Sequence, residues 1–288
     1  MAFVALTKPR IVELLLTTAI PTMFLAAQGL PTLKAVVALL IGGTLAAGSA
    51  NTFNSVYDRD IDALMGRTDH RPAVLGTISV RAGISLGIVL GVGSVLTLLL
   101  LANVLSAALA LAAILLYVVG YTILLKRRTS QNIVWGGAAG CMPVLIAWSA
   151  VTGSLTWTPV VLFLIIFFWT PPHYWPLAMK YRDDYERAGV PMLPVVKPVT
   201  TVTTNILVYA LIMVLFSLAL IFVAPMGWFY GVAALILGAL FIVQTVVLYR
   251  AARSQTGDVL RTGMRLFHGS ITYLALLFLA VAIDPFIG

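Results

Sequence analysis

The sequence has few charged residues and almost no cysteine. Of its 288 residues, 10% are charged and 61% are hydrophobic, whereas soluble domains average about 25% charged residues. Together with a mean hydropathy of +1.03, this scarcity of charge excludes a soluble globular protein and a disordered chain. The single cysteine, Cys141, excludes a disulfide-bonded scaffold. The composition is that of an integral membrane protein.

The sequence contains long apolar segments. A helix of about 20 apolar residues crosses a bilayer. Nine runs of this kind cover residues 11–28, 33–53, 82–101, 104–124, 132–151, 158–177, 202–224, 229–248 and 266–283. We therefore expect an all-α membrane protein with about nine transmembrane helices in one domain, residues 1–288. Two sets of four spans, at about 1–125 and 126–250, would form a parallel pseudo-repeat followed by a final helix.

The basic residues predict how the spans are oriented. If the N-terminus is cytoplasmic, 17 of the 18 lysines and arginines fall on the cytoplasmic side, and only Lys34 lies opposite. Membrane topology then explains the net charge of +8, so no nucleic-acid partner is required. The first apolar run lacks a small-residue cleavage site. We expect a multi-pass protein of a bacterial cytoplasmic (inner) membrane, with the lipid bilayer as its surroundings.

Acidic residues concentrate in two predicted cytoplasmic loops. In the first loop, Asn54, Asp58 and Asp62 are spaced i, i+4 and i+8, which puts them on one face if the helix continues. Three acids at the bilayer centre would cost about 8–10 kcal/mol on insertion scales, so these residues must lie at the interface, in a wet cavity or around cations. Mg²⁺ prefers such oxygen ligands and often completes its shell with substrate phosphates. The second loop carries Asp183 and Asp184.

Basic residues accompany both acidic loops, so a diphosphate is the ligand we expect. The phosphate-binding candidates are Arg67, Arg71, Lys126, Arg127 and Lys180. Asp60 points away from the face of Asp58, and we expect it to pair with Arg59 or Arg67. The alternative is a charged loop of ordinary surface ion pairs.

The sixth predicted span ends in an aromatic stretch, residues 168–176, which contains three prolines. Proline interrupts a regular helix, and irregular backbone in a membrane is tolerated only inside protein or beside a cavity. We therefore expect a broken helix that holds His173 near a cavity, among Trp169, Tyr174 and Trp175.

Together these segments resemble the UbiA superfamily of intramembrane prenyltransferases, and within it the branch that modifies heme. The resemblance runs nearly end to end. The segments that carry it are TKPRI at 7–11, NSVYDRDID at 54–62, the stretch at 121–132, WTPPH at 169–173 and KYRDDYERAGVPMLP at 180–194. The second loop departs from the superfamily in one respect: no acid follows Asp183 or Asp184 at a distance of four residues. Either could bind the metal.

The resemblance implies a central cavity roofed by the two loops and a Mg²⁺-dependent enzyme. It would transfer a farnesyl group from farnesyl diphosphate to a vinyl group of heme B, with addition of water, giving heme O and diphosphate. The implied catalytic residues are Asp58, Asp62 and Lys126; the substrate-binding residues are Asn54, Arg67, Arg71, Tyr121, Arg127, His173 and Lys180; and the metal ligands are Asn54, Asp58, Asp62, Asp183 and Asp184. Further partners would be heme-handling or heme-modifying membrane enzymes.

Three other functions fit parts of the pattern. A quinone precursor or another aromatic molecule could be the prenyl acceptor in place of heme. A secondary transporter could have nine spans and an internal repeat, but transporters keep ionisable groups near the midplane, whereas here the acids gather at one interface. A membrane assembly factor without catalysis would release no diphosphate.

Overall fold

The computed structural model describes residues 2–254 and 258–287, which are mostly helical. Nine helices in these two ranges are long and apolar enough to cross a membrane. They are α2 (Pro9–Ala27), α3 (Leu33–Tyr57), α5 (Val80–Leu101), α6 (Val104–Leu115, continued by a π-helix, Leu116–Leu125), α7 (Asn132–Thr152), α8 (Trp157–Lys180), α11 (Val199–Val223), α12 (Trp228–Ser254) and α13 (Val259–Ile283). The nine predicted spans are confirmed, and α13 begins seven residues earlier than expected.

Shorter elements connect or cap the spans. They are α1 (Ala2–Leu6), α4 (Arg59–Asp62), α9 (Arg182–Arg187), α10 (Leu193–Val196) and a 3₁₀ turn (Asp284–Phe286). Four of the spans begin at a residue whose side chain accepts a hydrogen bond from the first turn, which satisfies an otherwise unpaired backbone N–H. These capping residues are Thr32, Ser79, Asn103 and Asp258.

Small residues set the position of α3, the helix that leads into the first acidic loop. A Cβ added at Gly83 of α5 would lie 2.5 Å from Val56 Cγ2, and one added at Gly87 would lie 2.8 Å from the ring of Phe53. In addition, the hydroxyl of Ser49 donates to the carbonyl of Gly87 at 2.7 Å. Backbones approach this closely in membranes where side chains are small. The end of α3 is therefore held firmly beside α5.

The expected break in the sixth span is wrong. Helix α8 runs without interruption from Trp157 to Lys180 through Pro171, Pro172 and Pro176. All three prolines are buried, and α8 packs against α7, α11 and α13. Proline is tolerated in transmembrane helices where neighbouring helices surround the freed backbone groups. Tertiary packing has here overridden the local preference of proline.

Candidate active site

A cavity of about 330 Å³ lies where the first loop meets the helices beneath it. Its walls come from α2, the π-helix, α7 and α8, with Leu274 of α13 at one side. Its polar lining residues are Lys8, Thr18, Asn54, Asp62, Arg67, Arg71, Tyr117, Tyr121, Lys126, Trp169, Thr170, Tyr174 and Tyr185. Six of the predicted site residues therefore border one space, namely Asn54, Asp62, Arg67, Arg71, Tyr121 and Lys126, and Trp169 and Tyr174 of the aromatic stretch border it too.

The three polar residues of the first loop are almost completely buried. Asn54 is 3%, Asp58 0% and Asp62 1% exposed. The backbone N–H of Asp58 donates to Asn54 O at 2.9 Å, and that of Asp62 donates to Asp58 O at 2.8 Å. Helical hydrogen bonding thus continues from α3 into α4, and this keeps the three side chains on one side. Asp58 lies behind Asn54, whose Nδ2 donates to Asp58 Oδ2 at 2.7 Å.

Asn54 and Asp62 each contact one cationic side chain, whereas Asp58 contacts two, Lys126 and, at 3.4 Å, Arg127. Arg71 Nη1 donates to Asp62 Oδ2 at 2.6 Å, and Lys126 Nζ donates to Asp58 Oδ2. The loop returns to Asp62 because the hydroxyl of Thr68 donates to Asp62 O at 2.9 Å. Buried carboxylates need such partners. The predicted convergence of Arg71 and Lys126 on the acids is therefore present in the structure.

Lys8 is the cation that contacts Asn54, and it was not among the predicted site residues. Its Nζ donates to Asn54 Oδ1 at 2.6 Å. Burial, together with the positive charges of Arg71 and Lys126, lowers the pKa of Lys8 from 10.5 to about 7. The TKPRI segment at the start of the chain was the only signal for it. Lys8 and Asn54 are 46 positions apart in the sequence, so only the folded structure reveals their contact.

The second loop reaches the cavity through tyrosines. Arg67 Nη2 donates to the hydroxyl of Tyr185 at 3.2 Å, and the hydroxyls of Tyr185 and Tyr174 are 2.8 Å apart. Burial is the main reason why the pKa of Tyr185 is well above its usual value. Tyr185 was not predicted as a site residue, because an aromatic residue between charged neighbours in a loop carries no distinctive signal.

The acids of the second loop do not border the cavity. Asp183 is exposed, and Asp184 pairs with Arg187 on its own short helix, with 17% of its side chain exposed. Within residues 2–254 and 258–287, no group of three or more histidine, cysteine, aspartate or glutamate side chains is arranged to hold a metal ion. The metal-binding roles of Asp183 and Asp184 therefore remain predictions.

Arg127 and Lys180 also lie away from the cavity. Both terminal nitrogens of Arg127 donate to the carboxylate of Asp60 at 2.7 Å. This hydrogen bonding lowers the pKa of Asp60. The expected pairing of Asp60 with a residue of its own loop is wrong, because the turn of α4 directs Asp60 outward, toward the end of the π-helix. Lys180 is exposed, with Nζ 5.5 Å from the centre of the Tyr181 ring.

The π-helix brings two tyrosines to the cavity wall. Tyr117 and Tyr121 have ring centroids 5.5 Å apart, and Thr122 donates to the carbonyl of Tyr117 at 2.9 Å. Thr122 also accepts a hydrogen bond from Asn54 Nδ2 at 3.1 Å. Wider helical turns of this kind are frequent at functional sites. The π-helix thereby connects the aromatic wall to the polar face of the first loop.

A second, apolar cavity adjoins the first. It lies between α2, α3, α6 and α7, and it shares Ile11, Leu15, Tyr117 and Gly140 with the polar cavity. Small residues of α3 form one wall of the apolar cavity. Each helical turn from Asn54 back toward the start of α3 contributes one or two of them. They are Ala50, Ala47, Ala46 and Gly43. The site therefore combines a polar end with a long apolar end.

The donor set of the first loop fits a magnesium ion. The possible metal ligands are two carboxylates and one amide oxygen, all of them hard ligands. Each of these groups already accepts a hydrogen bond from a lysine or arginine side chain. Mg²⁺ takes only one or two protein carboxylates and completes its shell with waters and substrate phosphates. Asp62, which borders the cavity, and Asp58, which lies behind Asn54, supply this number of carboxylates.

The nine membrane-length helices of the described residues and a site with a cationic and an apolar end are typical of an intramembrane enzyme. The UbiA prenyltransferase family model matches residues 14–283, and the chain belongs to this family. Among similar curated proteins, the protoheme IX farnesyltransferase of Kineococcus radiotolerans is 58% identical, covering 99% of this chain and 88% of the relative. The protein of the same name from Streptomyces avermitilis is 56% identical, covering 99% and 94%.

Solved structures share the fold at low sequence identity. A structure reported for digeranylgeranylglyceryl phosphate synthase has a TM-score of 0.82 at 14% identity, and it covers 100% of this chain and 98% of its own. A UbiA homolog from Archaeoglobus fulgidus, bound to DMAPP and Mg²⁺, has a TM-score of 0.71 at 19% identity and covers 98% and 100%. The expected fold and family are confirmed.

Proposed function

We propose that this enzyme transfers a farnesyl group from farnesyl diphosphate to a vinyl group of heme B, giving heme O and diphosphate. The names of relatives with 56–58% identity over nearly the whole chain support this substrate pair. The observation that carries the proposal is the junction of a cation-lined polar cavity with an apolar cavity. A diphosphate with a long hydrocarbon tail has this same division.

The diphosphate binds at the polar end. Arg67, Arg71 and Lys126 border the cavity and supply the positive charge, and Lys8 adds a fourth group. Asn54, Asp58 and Asp62 hold Mg²⁺, and the metal supplies charge neutralisation for the diphosphate when bound. Of the two predicted ligands in the second loop, we favour Asp184 because its side chain is the more buried. The predicted substrate contacts of Arg127 and Lys180 require side chains that turn toward the cavity.

The farnesyl tail lies in the apolar cavity. Gly43 is 11 positions before Asn54 on α3, which corresponds to about 16 Å along a helix. This span is comparable with an extended chain of three isoprene units. Tyr117 stands at the junction of the two cavities. The carbon that bears the diphosphate therefore lies next to the rings of Tyr117 and Tyr121.

The reaction follows from this placement. The bond between the first farnesyl carbon and the diphosphate oxygen breaks, and the electron pair leaves with the diphosphate, whose growing charge Lys126 and Arg71 stabilise. Aromatic faces favour the allylic cation, and the dry cavity delays its capture by water. The terminal vinyl carbon of heme B then forms the new bond. Water adds to the cation left on the porphyrin side and loses a proton, which gives the hydroxyl group.

The direct test is an assay with purified enzyme, farnesyl diphosphate, Mg²⁺ and either heme B or a quinone precursor. We expect the farnesylated, hydrated product with heme B only, with one diphosphate released for each product, and no turnover after chelation of divalent cations. Prenylation of the quinone precursor alone would assign the alternative acceptor. Uptake of a solute into vesicles without diphosphate release would support a transporter.

A second test addresses the apolar cavity. Gly43→Leu places a branched side chain at the far end, where an added Cβ has only Leu39 nearby, at 3.7 Å. We expect kcat/KM for farnesyl diphosphate to fall about tenfold, whereas the value for geranyl diphosphate stays near wild type, because overpacking costs about 1–3 kcal/mol. Thr44→Leu puts the same side chain on the exposed face of α3 and serves as the control. Equal losses for both substrates would place the tail elsewhere.

We propose that this multi-pass protein lies in a bacterial inner membrane. Its N-terminus and both acidic loops would then face the cytoplasm. The asymmetry of the basic residues supports this topology. Heme-handling or heme-modifying membrane enzymes are its proposed neighbours, since the acceptor and the product are both hydrophobic porphyrins. Accessibility of cysteines introduced at Ser79 and Thr156 to a membrane-impermeant reagent tests the topology, and we expect opposite sides.

A further inference from the structure

A histidine lies in an ordered aromatic stack between α8 and α13. The ring of His173 is stacked on Trp169, with centroids 4.1 Å apart, and on Phe267, with centroids 4.7 Å apart. Trp169 borders the active-site cavity, so the stack lies beside that cavity. His173 itself does not border it. None of the steps described above uses this imidazole.

Hydrogen bonds at Ser270 fix the tautomer of His173. His173 Nδ1 is 2.8 Å from Ser270 Oγ. The one hydroxyl hydrogen of Ser270 is donated to the carbonyl of Phe267 at 2.6 Å, so Ser270 Oγ can only accept from the imidazole. Nδ1 therefore carries the proton. A further hydrogen bond, from Trp169 Nε1 to Ser270 O at 2.8 Å, holds the same turn of α13 in place.

This arrangement leaves a lone pair on His173 Nε2. In the described part of the chain, Nε2 has no hydrogen-bond partner, and it is not one of the side-chain atoms that are buried without a partner. The Nε2 atom is therefore partly exposed. A neutral imidazole whose other nitrogen donates to a fixed acceptor is the usual form of a metal-binding histidine, because the second hydrogen bond sets both tautomer and ring orientation.

We infer that His173 Nε2 coordinates the iron of the heme acceptor and holds the porphyrin beside the cavity. This inference rests on the proposed function and adds to it the atom that anchors the acceptor. His173 is seven residues before the end of α8, about 10 Å along the helix, so the iron is held below the membrane surface. The bond restrains the centre of the macrocycle and leaves the vinyl groups on its rim free to reach the cavity past Trp169.

The test measures binding without turnover. Hemin is titrated into detergent-solubilised full-length enzyme lacking farnesyl diphosphate, and the absorption and electron paramagnetic resonance spectra are recorded. We expect a histidine-ligated spectrum for wild type and its loss in His173→Ala, with hemin affinity at least about tenfold weaker. Added imidazole should restore the spectrum of His173→Ala. Iron-free protoporphyrin IX should bind wild type and His173→Ala equally, because it has no iron to coordinate.

His268→Ala is the matched control. His268 also has Nδ1 against an acceptor, the carbonyl of Met264 at 2.7 Å, but it is exposed and outside the stack. We expect it to keep the wild-type spectrum. An unchanged spectrum in His173→Ala, or equal losses of hemin and protoporphyrin affinity, would overturn the inference. If wild type yields heme O while His173→Ala keeps its spectrum, only the inference fails. If wild type binds no porphyrin and makes no heme product, the proposed function itself fails.

Discussion

The two acidic loops contain similar residues but differ in what the fold does with them. Asp58 and Asp62 of the first loop are at most 1% exposed, and each contacts a cationic side chain at the cavity. In the second loop, Asp183 is exposed and Asp184 contacts Arg187, three residues along its own helix. A buried charge must have a partner, whereas an exposed one need not. Burial, and not residue type, therefore separates Asp58 and Asp62 from Asp183 and Asp184.

The largest expected effect is in the first loop. We expect Asp58→Asn and Asp62→Asn each to lower kcat/KM for farnesyl diphosphate by at least about 100-fold, because each removes a metal ligand and a charge partner for the diphosphate-binding cations. Diphosphate release assayed with heme B measures this. Asp60→Asn, on the same loop but paired outward with Arg127, should stay within about threefold of wild type. A loss at Asp60 equal to that at Asp62 would contradict the distinction.

A smaller effect is expected in the second loop. Asp184→Asn should lower kcat/KM about tenfold, and Asp183→Asn less, because the side chain of Asp184 is the more buried of the two. The same diphosphate assay, repeated over a range of Mg²⁺ concentrations, ranks the two variants. Losses as large as those of the first loop would show that both acidic loops form one metal site when substrate is bound.

The tyrosine of the second loop provides a third test. Tyr185→Phe removes the hydroxyl that accepts from Arg67. We expect KM for farnesyl diphosphate to rise about fivefold with little change in kcat, because the net loss of one hydrogen bond costs about 1 kcal/mol. Tyr181→Phe keeps the ring that lies 5.3 Å from the Arg67 guanidinium and should behave as wild type. A drop in kcat alone in Tyr185→Phe would indicate a catalytic role instead.

The smallest expected effect concerns Lys8. Lys8→Met frees Asn54 Oδ1 from its lysine partner, so we expect the Mg²⁺ concentration for half-maximal rate to fall about threefold, because like charges near one oxygen compete. Steady-state rates at varied Mg²⁺ measure this value. Arg10→Met, on an exposed side chain of α2, is the control. A higher Mg²⁺ requirement in Lys8→Met would mean that Lys8 supports the metal site and does not compete with it.

Sequence patterns predicted the part of the site whose residues follow one another at helical spacing. The spacing of Asn54, Asp58 and Asp62 placed them on one face because helical hydrogen bonding continues from α3 into α4. Arg71 could be predicted as a partner of Asp62 because both lie in the first loop. For Lys126 the positive-inside rule predicted only the same side of the membrane, and its contact with Asp58 joins positions 68 apart. Lys8 and Tyr185 could not be predicted, since their contacts join segments 46 and 118 positions apart, and no local pattern encodes such distances.

By itself, the sequence determined the nine spans, because a bilayer requires about 20 apolar residues for each crossing and this requirement acts on every segment separately. It also determined the polar face of the first loop, through helical spacing. Only the tertiary structure decided which acids are buried, that α8 stays continuous through its prolines, and that an imidazole is fixed by a serine on another helix. These outcomes depend on packing between distant segments, where neighbouring helices decide which polar groups find partners.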